Sequence, residues 1–321
     1  MDVRAFSLSS DLLAEALQVT VVLIGAPLLA GWIGACRAVL SNRTPAGIFQ
    51  PWRDLMRLFR KETILPEGTS FLFRVVPFLV FAAFLSSSLF VPSLVTDPPL
   101  APVADAVVLV GLFSLARMMM AFGAMDAGTP FGDLGGRREM MVGFLAEPAT
   151  LMILFTASLW SQSTALPAIL HSLLGTQAPF HPSLLFALLS FVLILLAENG
   201  RLPIDNPSTH LELTMIHEAM LLEYSGPLLA MVEWGAQIKL VLYLLIGIDF
   251  FFPAGLPAIL SPGSLGTGLL VLSAKLLAAG TALALVETLF AKLRIFRVPE
   301  FTALAYLLAT MGFLIHFVLE V

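Results

Sequence analysis

The sequence predicts an all-α fold, a polytopic membrane helix bundle of about eight transmembrane helices with amphipathic surface helices on the cytoplasmic side. Three observations carry that prediction. Apolar runs recur along the whole length, each close to the roughly 20 residues that about 30 Å of hydrocarbon requires. Charge is scarce: 12% of residues are charged against 58% hydrophobic, with mean hydropathy +0.94. The lysines and arginines that remain gather in alternate connections, as cytoplasmic loops do.

The spans read, in order, 12–36, 71–91, 103–122, 142–161, 183–197, 228–252, 265–291 and 301–319, forming one integral membrane domain over residues 1–321. The fifth is short and can begin near His181. Residues 1–10 lack the basic start and short apolar core of a cleaved signal, so the first span is expected to persist. Arg37, Arg43, Arg53, Arg57, Arg60 and Lys61 follow the first span, Arg137 and Arg138 the third, Arg201 the fifth, and Lys292, Arg294 and Arg297 the seventh. The connections 92–102, 162–182 and 253–264 hold no Lys or Arg. Cytoplasmic loops are therefore expected at about 37–70, 123–141, 198–227 and 292–300, with both termini outside a bacterial or archaeal plasma membrane.

A single cysteine, Cys36, excludes an internal disulfide and cannot alone hold an iron–sulfur cluster, which needs several thiolates. His210 and His217 lie seven apart without a third ligand at metal-binding spacing. No cofactor is expected on this chain, and redox centres are expected on partners. There is no soluble domain and no internal repeat, which weighs against a transporter built from duplicated halves. No nucleic-acid partner is expected.

In the first cytoplasmic loop, PWRDLMRLFRKE sets Trp52, Leu55, Met56, Leu58 and Phe59 among Arg53, Arg57, Arg60 and Lys61 at roughly helical spacing. That predicts a helix lying on the membrane surface, its cations meeting anionic headgroups or docking a soluble partner. The second loop, GAMDAGTPFGDLGGRREMM, is dense in Gly and Pro, which predicts irregular structure. Asp126, Asp133, Arg137, Arg138 and Glu139 crowd it, as in a solvated loop or a contact with a partner. In the third, Asn206–Pro207 suits an N-cap and first helical position, and Thr209 with Glu212 fits a capping box, so a helix should start near Pro207.

Several ionisable residues fall inside the spans: Glu147 in the fourth, Glu198 at the end of the fifth, Glu233 and Lys239 in the sixth, Lys275 and Glu287 in the seventh. Each such burial costs about 2.5–3.5 kcal/mol even on the lenient insertion scale, so these groups should face one another or water. Joined by water they would form a proton relay; paired off they would be structural. Glu198, Lys239 and Glu287 lie near span ends, where snorkelling is cheap. Glu15, Asp249 and Glu320 are expected at the interfaces, and Arg117 is placed to neutralise a carboxylate.

These residues resemble the membrane protein shared, as subunit 1, by respiratory complex I and, as its counterpart, by the membrane-bound group 4 nickel–iron hydrogenases, including formate hydrogenlyase. The similarity covers nearly the whole chain. AENGRLPIDNP resembles the family's acidic-x-x-(Arg/Lys)-x-Pro-(Phe/Ile)-Asp motif, and LEYSG at 222–226 is a second match. GAMDAGTPFGDLGGRREMMVGFLAEP resembles the hydrogenase branch's Leu-Asp-x-Gly-Ser-Pro-Phe loop running to Glu-Pro, with Asp126, Arg138, Glu139 and Glu147 on family positions. Lys275 and Glu287, with LVETLFAKLR, also look like that branch. After Pro207 the family has closely spaced acids, whereas here Ser208, Thr209 and His210 precede Glu212.

The resemblance implies a non-redox subunit of a hydrogenase-type oxidoreductase complex that anchors the soluble redox module and couples its electron transfer to proton or Na⁺ movement. Partners would be soluble hydrogenase-like large and small (Fe–S) subunits, which carry the [NiFe] centre and clusters, antiporter-like membrane subunits and the lipid bilayer. The relay would comprise Glu147, Glu198, Asp205, Glu212, Glu218, Glu223, Glu233, Lys239, Lys275 and Glu287. Docking would fall to Arg53, Arg57, Asp126, Asp133, Arg137, Arg138, Glu139 and Arg201. The alternatives are a quinone-chamber subunit of a complex I-like enzyme, with Glu198, Arg201 and Asp205 near the quinone, a purely structural anchor, and a stand-alone transporter.

Overall fold

The computed structural model describes residues 2–94, 103–175, 181–205, 215–253, 255, 262–290, 293 and 297–319, with side chains at these positions except 2–14, 175 and 262–265. They form eleven helices, and one isolated antiparallel bridge joins Asp105 to Ala165. The helices are α1 (Asp2–Leu40), α2 (Gln50–Phe59), α3 (Phe71–Phe90), α4 (Ala106–Asp126), α5 (Pro130–Ser161), α6 (Leu166–Gly175), α7 (Pro182–Glu198), α8 (His217–Leu221), α9 (Gly226–Phe251), α10 (Pro262–Leu289) and α11 (Val298–Leu319).

Seven of these, α1, α3, α4, α5, α9, α10 and α11, are long and apolar enough to cross a bilayer, and α7 is a shorter apolar helix of 17 residues. The chain is a multi-pass membrane protein. All eight expected spans coincide with helices, because the apolar runs that set hydrocarbon length also set helix length. Helix starts are capped by local chemistry: Ser70 Oγ accepts from the Leu72 N–H at 3.1 Å, and Asp105 Oδ1 from the Val107 N–H at 2.7 Å.

The bundle is built on α5, which packs against α4, α7 and α11; α3 joins α4 to α9, and α1 joins α9 to α10. Phe113 stacks on Tyr243 with centroids 5.1 Å apart, and Phe84 and Phe191 flank that pair. At one end of the bundle α2 and α8 lie against the long helices. Trp52 of α2 donates its indole N–H to the Ile24 carbonyl at 3.3 Å and meets Trp234 edge-on at 5.8 Å, and Leu55 is buried beneath it.

Two expectations are corrected. The glycine-rich stretch 123–141 is almost wholly helical: α4 runs through Asp126, and α5 begins at Pro130 behind the N-cap Thr129, whose hydroxyl accepts from the Gly132 N–H at 3.3 Å. Gly128 makes the turn at a φ of 65°, and Gly132, Gly135 and Gly136 serve close packing. A Cβ at Gly135 would sit 3.0 Å from the Ala219 and Met220 side chains, and one at Gly132 would collide with the Ala124 carbonyl. As a result α5 is 32 residues long, about 48 Å, well beyond the roughly 30 Å of hydrocarbon. The connection 162–182 likewise contains α6. A helix start near Pro207 lies outside the described residues.

Candidate functional site

Arg117, on α4, is buried in the middle of the bundle and holds three carboxylates. Its Nε lies 3.3 Å from Glu139 Oε1, its Nη1 lies 3.1 Å from Glu147 Oε1, and its Nη2 contacts Glu198 Oε2. Glu139 and Glu147 come from α5, Glu198 from the last turn of α7. Lys239 of α9 approaches Glu198 from the other side, with Nζ 2.9 Å from Oε2 and 2.6 Å from the Glu198 carbonyl, and lies 5.9 Å from the Tyr243 ring centroid. The Arg117 and Glu198 side chains are 3% and 1% exposed, so water screens this contact little.

The seat for the guanidinium is made by a missing side chain. A Cβ at Gly143 would collide with Arg117 Nη1. Glu139, Gly143 and Glu147 are spaced four apart, one turn above another on α5, so the glycine opens a slot with a carboxylate at each end.

A second cluster lies beyond the end of α7. Glu287, 2% exposed on α10, receives Arg201 Nη1 at 3.2 Å and Arg37 Nη1 of α1 at 3.5 Å. A cavity of about 130 Å³ joins the two clusters, since Arg117, Glu139, Glu198, Lys239 and Arg201 all line it, with Gln237 among its other polar residues. In the NGRLPID stretch Gly200 takes a positive φ of 55°, where the chain turns out of α7, and the Leu202–Pro203 peptide is cis. Asp205, 2% exposed, accepts from the Ile216 and His217 backbone N–H groups at 3.1 and 3.0 Å, tying the start of α8 to that turn.

Of the expected relay residues, Glu147, Glu198 and Lys239 converge on one site, and Glu287 sits apart from it, paired with Arg201, which lines the cavity. Asp205 is engaged with backbone. Glu218, Glu223 and Glu233 are half-buried, and Glu233 lies within electrostatic range of Glu218 and Asp54. Lys275 sits apart, donating to the Phe252 carbonyl at 2.9 Å near Asp249. Glu212 lies outside the described residues, as does Glu320. Glu15 and Asp249, expected at interfaces, are buried at 5% and 3% exposure, since helix packing rather than depth along the span decides their surroundings.

The docking set divides. Arg53, Arg57 and Arg137 are exposed, and Arg137 Nε pairs with the partly exposed Asp133 Oδ1 at 3.0 Å. Asp126, Arg138, Glu139 and Arg201 have partners within the chain: Asp126 accepts from the Ser70 N–H at 2.9 Å, and Arg138 donates to the Met215 carbonyl at 2.8 Å. The residues that sequence reasoning misses are Arg37, which reads only as a loop cation, and Gly143.

The LEYSG stretch is a clasp. Ser225 Oγ accepts from the Ile64 N–H at 2.8 Å and donates to its carbonyl at 2.7 Å, and the Tyr224 ring stacks on Phe73 at 4.2 Å and 7°. Burial, and then the Asp126 carboxylate, push the Tyr224 hydroxyl well above the ordinary tyrosine range. Among the described residues, no group of three or more His, Cys, Asp or Glu is arranged to hold a metal ion.

Comparison with known proteins sets this geometry in a family. Residues 16–318 match the family model described as NADH dehydrogenase. The chain is 30% identical over 297 residues to formate hydrogenlyase subunit 4 of Escherichia coli (strain K12), covering 92% of this chain and 96% of that protein. It is also 30% identical over 296 residues to hydrogenase-4 component C of the same organism, covering 92% of each. Among solved structures it resembles a chain of the membrane-bound sulfane sulfur reductase, an archaeal respiratory membrane complex, with TM-score 0.77 and 19% identity over 94% of this chain and 99% of that one.

Proposed function

The chain belongs to the NADH dehydrogenase family of membrane subunits, in the company of formate hydrogenlyase and hydrogenase-4 subunits, and on that premise we propose that it is the ion-coupling anchor of a hydrogenase-type oxidoreductase complex. Its relatives are subunits of multisubunit oxidoreductases, and the electron transfer belongs to partner subunits. This chain's share is to hold the soluble redox module at the α2 and α8 end and to move a proton or Na⁺ in response.

The observation that carries this reading is a run of buried and partly buried charge. Glu139 and Glu147, Arg117, Glu198 and Lys239 form one cluster, Arg201, Glu287 and Arg37 a second, and one cavity is lined by Arg117, Glu139, Glu198 and Lys239 of the first and by Arg201 of the second. With all groups ionised, three carboxylates against two cations leave the Arg117 cluster one net negative charge, while one carboxylate between two arginines leaves the Glu287 cluster one net positive charge. A cluster short of one positive charge in low-dielectric surroundings gains by taking up a cation. A cavity of about 130 Å³ has room for several waters, which need about 10–15 Å³ each, and Gln237 Oε1 and Asn199 Oδ1 are buried beside it without protein partners. It is smaller than the roughly 300 Å³ at which small-molecule pockets begin, which supports water and ions rather than a quinone ring.

In this reading, reduction or protonation in the docked module changes the potential near Arg201 and His217 and so alters the protonation of Glu198, which lines the same cavity as those two residues. Arg117 can swing its preference among three carboxylates without leaving its slot, and Lys239 follows Glu198. Orientation follows the basic loops, with α2 inside the cell.

Replacing Glu147 with Gln tests the proposal, because Arg117 keeps Glu139 and Glu198 and the bundle should persist. Inverted vesicles carrying the assembled complex should lose donor-driven H⁺ or Na⁺ uptake while keeping hydrogen evolution from a soluble donor. Unchanged coupled uptake would remove Glu147 from the pathway. A strict quinone requirement in the purified assembly would instead favour the quinone-chamber reading.

A further inference from the structure

We propose that a crevice between α1, α9 and α10 is a specific seat for one anionic phospholipid, an acyl chain lying in the crevice and the headgroup resting on the arginines of α2. The crevice has a volume of about 430 Å³ and is lined by Val21, Gly25, Leu29, Trp32, Leu272 and Leu276 among others. That volume falls within the roughly 300–1,000 Å³ of small-molecule sites.

Its lining recognises hydrocarbon and nothing polar. Ser273 and Trp32 are the polar side chains on its wall, and both are already engaged: Ser273 Oγ donates to the Leu270 carbonyl at 3.0 Å, and Trp32 Nε1 donates to Thr281 Oγ1 at 3.1 Å. A ligand with a ring carbonyl inside this space would meet no free donor, whereas an acyl chain asks for none.

The crevice ends at Ile48 and Phe49, and Phe49 also borders the surface formed by Trp52, Arg53, Met56, Arg57 and Arg60. The three arginines are exposed, and among the described residues the carboxylate contact made by them is that of Arg57 with Asp54, a solvent-exposed pair at 3.5 Å. Such a pair contributes little and leaves the patch cationic. Trp52 pins α2 to the Ile24 carbonyl of α1, so the cationic patch and the apolar slot are held at a fixed spacing. An apolar slot opening beside three arginines at a membrane boundary is complementary to one molecule with a hydrocarbon tail and a negative head. This assigns Arg53 and Arg57 to lipid rather than to the soluble module.

The experiment is native mass spectrometry of the full chain titrated with palmitoyl-oleoyl phosphatidylglycerol or the matching phosphatidylcholine. The wild type should retain one phosphatidylglycerol with an apparent Kd on the order of 10–100-fold below that for phosphatidylcholine, as three interfacial arginines imply. The combined variant Arg53→Gln, Arg57→Gln, Arg60→Gln, changed only at exposed positions, should bind the two lipids equally. Gly25→Leu should lose both: a Cβ there meets nothing within 4 Å, so the larger side chain fills the crevice without a clash. Equal binding of the two lipids by the wild type would overturn the proposal, as would a full preference surviving in the triple variant. Displacement of phosphatidylglycerol by an isoprenoid quinone at equal concentration would overturn it in favour of a quinone slot.

Discussion

Arg117→Met is the sharpest perturbation the structure offers. The side chain is 3% exposed and its three carboxylate partners are 13%, 31% and 1% exposed, so its removal leaves Glu139, Glu147 and Glu198 facing one another with Lys239 as the remaining cation. Breaking a buried pair by deleting one partner costs about 3–5 kcal/mol, which is roughly a 100- to 5,000-fold shift toward the unfolded state. Glu198 carries most of that cost, because Glu139 and Glu147 can turn toward water. Adding Glu198→Gln to Arg117→Met should therefore recover about 2 kcal/mol or more, a coupling that distant independent sites do not show. Reversible denaturant unfolding in mild detergent, run on the two single variants and the double variant, measures it. A single Arg117→Met variant within about 0.5 kcal/mol of wild type, or strictly additive effects in the cycle, would refute the view that this guanidinium neutralises a buried acidic cluster.

Other outcomes follow from neighbouring geometry. Gly143→Ala should expel the guanidinium from its slot and cost about 1–3 kcal/mol as an overpacked site does, with ion uptake by the assembled complex falling in parallel; Gly143→Ala at wild-type stability would mean the slot is not needed. Ser225→Ala loses both hydrogen bonds to Ile64, so the Ile64 amide should exchange with solvent at least about tenfold faster by hydrogen–deuterium exchange, at a cost of about 1–2 kcal/mol. Tyr224→Phe should be neutral or slightly stabilising at pH 7, because the buried hydroxyl it removes has no partner. Since burial holds that hydroxyl neutral in the fold while the unfolded chain's can ionise, the fold keeps its full stability below about pH 10 and loses some as pH rises further, so wild type should weaken above pH 10 more than Tyr224→Phe does in unfolding curves.

How much of this is legible in the sequence varies with the kind of signal. The spans are, because hydrocarbon thickness and helix rise are fixed lengths that an apolar run must match. The gathering of Glu147, Glu198 and Lys239 follows from the cost of leaving each alone, and Arg117 stands out as a neutraliser for the same reason. Glycine misleads: at 123–141 its density reads as turn, whereas Gly132, Gly135 and Gly136 let α4, α5 and α8 approach closely, and local composition does not distinguish those uses. Glu139 reads as a docking residue because its neighbours Arg137 and Arg138 suggest a surface. The four-residue spacing of Glu139, Gly143 and Glu147 is the signal that places it inside. Asp205 and Arg138 bind backbone groups far along the chain, and no side-chain pattern announces such partners. Arg37 and Glu287 are 250 positions apart, and only the packing of α1 on α10 brings them together.

The overhang of α5 has a mechanical consequence. Asp133 and Arg137 occupy its first turns, on the side away from α4 and α8, while Glu139 and Glu147 grip Arg117 further down the same rod. Pro148, one residue past Glu147, has no N–H to give the Phe144 carbonyl, so one rung of the helical ladder is missing beside the carboxylates. Surface turns and the guanidinium's grip thus sit on one continuous rod, so a push on the first would be carried along the shaft to the second.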